Sequence, residues 1–383
     1  MIHSFVFIAD IHWGAKPPEI LYDNLNIFLE FIKNKKPSLV VIGGDYFDYR
    51  LQLNSPSAIM SVNWFDKFIK ICKESEVQRI RIIKGTQEHD NDQLEVFRSY
   101  ETNDNYLKIY NSTEVEEIFP DFKCIFCPDE VINLEEYHEL YYQKLLEYPS
   151  IGFFHGNFDA ILPSIEFDRI QNNHLKTMIY QYDIFSKFIK GPLISGHWHV
   201  FQNYEHLYYS GSYDRWKFGE EEDKGFLYGE YDTSDNTYYI TRVINNHAKK
   251  YDTIIVEDVN FRTPIEFADL KDLVDTKLLS DDNLELRIVY IITEENDEVL
   301  LNISNFQKKY SKEKRVKIDI KNIYKKEKKK EIREHKQIEY NKYSYVFNKN
   351  ESVANKIHQF ILDKKGIDVP IDEIQKKIEN YIK

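Results

Sequence analysis

The chain has 383 residues, 42% of them hydrophobic, with 28 tyrosines and 25 phenylalanines; it has apolar bulk for two or three domains and is not a disordered protein. A formal net charge of −13 excludes a general nucleic-acid coat, which needs clustered Lys and Arg, but not a pocket in which bound cations reverse the local charge. The three cysteines, Cys72, Cys124 and Cys127, are too few for a disulfide scaffold and fit a reducing cytosol.

The N-terminus lacks a basic n-region and Asp10 interrupts its apolar stretch, so no signal peptide is expected; no later stretch reaches membrane-span length. The chain reads as cytoplasmic. Residues 5–8 form the first expected strand, and residues 21–33 a helix with Leu25, Phe28, Leu29 and Ile32 on one face. A second strand covers 39–42 and a second helix 57–73, with Val62, Phe65, Phe68 and Ile69 in register. Further strands follow at 80–83, 151–154 and 192–194, giving the alternation of a sheet covered by helices. The CxxC pair Cys124 and Cys127 lies inside an apolar strand-like run with no second pair, which reads as core packing.

Beyond His199 the pattern turns strand-rich, at 204–210, 225–231 and 237–243. Residues 253–320 then read as strand, helix, strand, helix, strand, a small α/β domain with its boundary within 245–251. The expected domains are thus 1–248, 249–324, and a basic linker with C-terminal helices over 325–383. The linker holds the run Lys325 to Lys330, and the helices span 352–365 and 371–382.

Five short segments follow buried strands and carry hard-metal ligands: Asp10-Ile11-His12, Gly44-Asp45, Gly85-Thr86-Gln87-Glu88-His89-Asp90, His155-Gly156-Asn157 and Gly196-His197-Trp198-His199. Loops beyond the carboxyl ends of strands in an α/β sheet converge on one crevice, so ligands scattered along the chain can meet there. Mixed carboxylate and imidazole suits a pair of manganese-like or iron-like ions, whereas a structural zinc favours cysteine.

Taken together and in this order, the five segments resemble the motif series of calcineurin-like metallophosphoesterases. Gly44-Asp45-Tyr46-Phe47-Asp48 and the stretch from Gly211-Ser212 through Arg215, Phe218 and Glu220 to Lys224-Gly225 are similar to segments of the SbcD-type nucleases of double-strand-break repair. The resemblance implies a four-layer αββα sandwich, a small α/β capping domain and C-terminal helices that bind an SMC-like coiled-coil ATPase. It further implies a homodimer acting on DNA with two divalent ions, Mn²⁺ above all. By position, Asp10, His12 and His199 would hold one ion, His155 and His197 the other, with Asp45 between them. His89 would be the general acid beside the scissile phosphate, with Asp90 and Asp48 orienting ligands or His89.

One loop departs from the family. Its usual Gly-Asn-His-Asp becomes Gly85-Thr86-Gln87-Glu88-His89-Asp90, two residues longer and without the ligating Asn. Gln87 keeps the amide chemistry, Glu88 the adjacency to histidine; Glu88 is the expected replacement ligand. Trp13, Trp198 and Tyr213 are candidates for stacking on nucleic acid or for plain packing, and Arg215 for binding phosphate or pairing with the 220–222 acidic run. Metal-dependent DNA cleavage is the leading reading. A phosphatase or small phosphodiesterase of the same superfamily, and a non-enzymatic DNA-end-binding scaffold, are the alternatives.

Overall fold

The structure is a computed structural model that describes residues 1–102, 104–130, 141–161, 179–220, 222–257, 264–293, 296–322, 352–365 and 367–382. The basic run Lys325 to Lys330 lies outside them. The chain divides into two compact units, one of Met1–Thr253 with Lys277–Leu286 and one of Ile254–Thr276 with Arg287–Lys383.

The first unit holds two six-stranded sheets. One runs β14-β13-β1-β2-β3-β4, from β1 (Ile2–Ile8), β2 (Leu39–Ile42), β3 (Arg79–Ile83), β4 (Leu107–Tyr110), β13 (Gly225–Asp232) and β14 (Thr237–Ile244). Within it β1 to β4 are parallel, and β13 runs antiparallel to β1. The other runs β11-β12-β10-β7-β6-β5, from β5 (Glu114–Phe119), β6 (Phe122–Cys127), β7 (Ile151–His155), β10 (Leu193–Gly196), β11 (Gln202–Tyr204) and β12 (Leu207–Tyr209). Here β6, β7, β10 and β12 are parallel. The short pair β8 (Asn157–Phe158) and β9 (Ile179–Tyr180) stands apart.

Alternation along each strand explains the layering. From β1, Phe5 and Phe7 point to a core shared with Phe126 and Phe153 of the second sheet, while Val6 and Ile8 join the core under the helices. The ring of Phe153 lies 5.6 Å from Phe5 and 5.9 Å from Phe7, and each such buried phenylalanine contributes about 1.5–3 kcal/mol. Helices α1 (Pro18–Lys35) and α2 (Pro56–Glu74) cover the first sheet with Leu25, Phe28, Trp64 and Phe68. On the second sheet, α3 (Tyr182–Phe188) packs Tyr182 and Phe185 against Phe154 and Leu193. This is the expected αββα sandwich.

Local signals set the helix ends. Pro18 and Pro56 sit in the first turns, where a missing N–H costs nothing. Ser55 Oγ caps α2 by accepting from Ala58 N at 3.2 Å. Cys124 and Cys127, three apart on β6, face opposite cores, so they cannot converge on one metal; burial pushes both thiols well above their ordinary range.

A three-stranded sheet, β15 (Lys250–Glu257), β16 (Leu284–Ile292) and β17 (Val316–Asn322), is ordered β15-β16-β17. Helices α4 (Pro264–Ser280) and α5 (Asp297–Tyr310) alternate with its strands. In the second unit Phe267, Tyr290 and Phe306 form one aromatic cluster. Helices α6 (Val353–Lys365) and α7 (Ile371–Ile382) end the chain, with Ala354 and Ile374 buried and Val353, Phe360 and Ile371 exposed. Among the described residues, no helix is long and apolar enough to cross a membrane.

Candidate metal centre

The five ligand-bearing segments follow the carboxyl ends of β1, β2, β3, β7 and β10. Past the ends of β1 and β2 the two chains stay zipped. Asp10 N donates to Gly44 O at 3.0 Å, His12 N to Asp45 O at 3.0 Å and Trp13 N to Tyr46 O at 2.8 Å. This pairing places Asp10 and His12 beside Asp45. Asp10, His12, Asp45 and His197 all have positive φ, a backbone state that L residues avoid unless their surroundings enforce it. Gly44 is at φ 93°, and a Cβ there would collide with the His155 ring and with Gly85 Cα.

Three groups of potential ligand atoms result: Asp10, His12 and His199; Asp45, His155 and His197; and His12, Asp48 and His89. The first two correspond to the two sets expected from sequence. His12 Nε2 and His199 Nε2 lie 3.1 Å apart, and His199 Nε2 is 3.9 Å from Asp10 Oδ1. Two ring nitrogens each about 2.1 Å from one ion would themselves be about 3.0–3.4 Å apart. In the second group, His155 Nε2 is 3.2 Å from Asp45 Oδ2 and, among the described residues, has no hydrogen-bond partner although fully buried. Its Nδ1 lies 2.7 Å from the Gly43 carbonyl, to which it donates, so Nε2 is the ring atom that would offer a lone pair to an ion once it is deprotonated. A buried, unpartnered imidazole nitrogen facing a carboxylate, with oxygen and nitrogen donors and no thiolate, fits a hard or borderline divalent ion.

The electrostatics are those of a cation site. Burial opposes ionisation of Asp45, but His155, His12 and His89 outweigh it and hold the carboxyl well below its ordinary range. Burial raises Asp10, and the nearby Asp45 adds to the effect against the pull of His155 and His199. His155 overcomes its own burial through Asp45 and is pushed up to about 10. Burial and the charge of His155 push His197 down to about 3.

The surrounding residues divide by what they touch. Asp90, fully buried, accepts from Phe47 N at 3.0 Å and Gly85 N at 2.7 Å and so ties the loops after β2 and β3 together. Burial and Asp45 raise its carboxyl to about 6. Asp48 Oδ1 stands 3.1 Å from His12 Nδ1, and its backbone carbonyl meets His89 Nδ1. His89 is partly exposed at the mouth, with Nε2 4.0 Å from Asp45 Oδ2.

Glu88 is where expectation and structure part. His89 N and Asp90 N both donate to Thr86 O, a turn that throws Gln87 and Glu88 outward. Glu88 is exposed and in none of the ligand groups, while the Gln87 amide donates to Asn91. Thr86 reaches the centre instead, donating to Asp45 Oδ1 from N at 2.7 Å and from Oγ1 at 3.0 Å. Trp13 and Tyr213 are fully buried in the helix-side core, which removes both as stacking platforms. Arg215 donates to Lys249 O and lies 3.8 Å from Asp223.

Two more contacts were not legible in the sequence. Asn157 Oδ1 accepts from Trp198 Nε1 at 2.8 Å, which turns its Nδ2 to within 3.3 Å of His197 Nε2. Glu220 Oε1 lies 3.5 Å from His199 Nδ1; despite burial, His199 and Lys224 hold the Glu220 carboxyl down at about 2. For Glu220 the only signal is the Phe-x-Glu…Lys spacing, which carries no geometry.

Residues 3–234 match the calcineurin-like phosphoesterase family. Among solved structures, the chain is similar to the crystal structure of a dimetal phosphatase from Danio rerio, at 10% identity and a TM-score of 0.32, over 59% of this chain and 92% of that one. The comparison with curated proteins returned no match. With more than half of its length matched, the chain belongs to the calcineurin-like phosphoesterase family, which makes it a metal-dependent phosphoester hydrolase.

Proposed function

We propose that the chain is a two-metal phosphodiesterase acting on DNA, an SbcD-type exonuclease and endonuclease that processes DNA ends with an SMC-like coiled-coil ATPase. The observation that carries the hydrolytic part is the pair of ligand groups, Asp10 with His12 and His199 and Asp45 with His155 and His197. The choice of DNA rests on the SbcD-like segments Gly44 to Asp48 and Gly211 to Gly225. A homodimer and docking of the ATPase on α6 and α7 follow from the same resemblance; the exposed Val353, Phe360 and Ile371 support the docking.

Two divalent ions, Mn²⁺ in the first instance, would supply Lewis acidity at neutral pH. Asp10, His12 and His199 would hold one ion, and His155 and His197 with Asp45 the other. Asp48 holds His12 through Nδ1, and Asp90 locks the loops that carry Asp45 and His89. His89, oriented by the Asp48 carbonyl, presents Nε2 at the open side and passes a proton to the leaving sugar oxygen.

The test is cleavage of end-labelled duplex and hairpin DNA by the purified chain in Mn²⁺, alone and with the ATPase, beside p-nitrophenyl phosphate and bis-p-nitrophenyl phosphate. DNA cleavage and diester preference are expected. Monoester turnover without DNA cleavage in either setting rejects the nuclease reading.

A further inference from the structure

Glu220 belongs to neither of the two ligand sets, yet it is built into the centre. Its side chain is 7% exposed. One oxygen, Oε2, is committed: it accepts from Trp216 N at 3.0 Å and pairs with Lys224 Nζ at 3.1 Å. The other, Oε1, is buried without a hydrogen bond among the described residues and lies 3.5 Å from His199 Nδ1. Lys224 is fully buried and donates to the His199 carbonyl at 2.8 Å, so one ammonium holds both the carboxylate and the backbone of the histidine it faces. The neighbouring imidazole repeats the plan, with Asp48 Oδ1 3.1 Å from His12 Nδ1. The two carboxylate-backed rings then oppose each other through their Nε2 atoms.

We propose that Glu220 is a positioning residue for the metal centre. Its Oε1 accepts the Nδ1–H of His199, which fixes the tautomer that turns the Nε2 lone pair toward the ion shared with Asp10 and His12, while Lys224 holds the pair in register. A ligating histidine commonly gives its second N–H to a carboxylate, and losing that partner weakens metal binding 10–100-fold. Trp216 joins the same unit: its ring edge meets His12 at 5.4 Å, and the Lys16 ammonium sits 5.0 Å over its ring, paired with buried Asp214 at 2.8 Å. Trp216, Glu220 and Lys224 thus brace both imidazoles.

This inference rests on the two-ion reading, and Mn²⁺ titration of the full chain by calorimetry and electron paramagnetic resonance separates the two. Wild type takes up two ions. Glu220→Gln should bind one of them about tenfold more weakly, and Glu220→Ala up to about 100-fold, with the other ion unchanged; both variants should melt lower without metal, because buried Lys224 loses a counter-charge, so affinities are compared in folded protein. Glu222→Gln removes the other carboxylate on Lys224, 2.8 Å from its Nζ, and should keep both affinities. Equal affinities in folded Glu220 variants and wild type, or the same loss in Glu222→Gln, overturn the positioning role alone. A wild type that takes up no ions overturns the two-ion reading and the inference with it. Should the Glu220 variants fail to fold, cadmium-loaded wild type with isotope-labelled histidine decides by magnetic resonance: coupling through His199 Nε2 is expected, and coupling through Nδ1 overturns the proposal.

Discussion

His155 Nε2 points at Asp45 Oδ2 from 3.2 Å, and both side chains are buried. With its proton held up to about 10, His155 is cationic at pH 7 and must lose that proton before its lone pair can serve an ion. Metal uptake should therefore release about one proton per chain near pH 7, and the apparent affinity should climb with pH toward about 10. Calorimetry in buffers of different ionisation enthalpy reads the release, and His155→Asn should abolish it. The metal-free fold shows the opposite trend. A raised imidazole contributes its stability fully below the unfolded value near 6.5 and loses it as pH rises through about 10. Chelated protein should melt lower at pH 10 than at pH 6, and Mn²⁺ should narrow the gap.

His89 stands at the mouth of the centre, in contact with the Asp48 carbonyl and edge-on to His12 at 4.7 Å. His89→Gln keeps a polar side chain but cannot deliver a proton. Hydrolysis should fall about 10²–10⁴-fold while both ions still bind. A variant with full rate and full metal content would remove His89 from the reaction.

Away from the site, Arg81 is fully buried on β3 and forks onto Glu116 of β5, with Nη2 to Oε1 at 2.6 Å and Nε to Oε2 at 3.1 Å. Burial opposes ionisation of Glu116, but Arg81 prevails and holds the carboxyl below its ordinary range. A depressed carboxyl contributes stability above its unfolded value near 4.5 and loses it as pH falls through the lower folded value. Glu116→Gln leaves the guanidinium without its counter-charge and should cost about 3 kcal/mol in urea melts at pH 7, and less at pH 3. Equal losses at both pH values would mean that shape, not charge, holds the pair.

Much of this was legible in the sequence because strands impose period two and their ends are punctuated. Val6 and Ile8 against Phe5 and Phe7 announce a strand buried on both faces, and Asp10, Asp45 and His197 stand where such strands stop. Positions along one strand are fixed by the pleat; side-chain direction in a six-residue loop is not. Adjacency to His89 therefore favours Glu88 as a ligand in the sequence, whereas the turn closed by Thr86 O points it to solvent. Glu220 escaped for a related reason. Its partner His199 is 21 residues earlier in the chain and is met only through the fold. For Trp13 and Tyr213 the sequence leaves stacking and packing both open, and burial decides that they pack.

The loop departure yields the last prediction. Thr86 spends its backbone N–H and its hydroxyl on Asp45 Oδ1, leaving Oδ2 toward His155. Thr86→Val keeps the branched shape and the backbone donor but deletes the hydroxyl. A hydrogen bond to a charged acceptor is worth about 1.5 kcal/mol, so Mn²⁺ should bind roughly tenfold more weakly as Asp45 loses one of its fixed donors. Glu88→Gln alters only an exposed side chain and should leave affinity and rate within about twofold, since surface changes away from such features are small. Calorimetric titration of both variants beside wild type distinguishes the two assignments. A tenfold loss in Glu88→Gln with none in Thr86→Val would restore Glu88 as a ligand and require the loop to turn inward when ions bind.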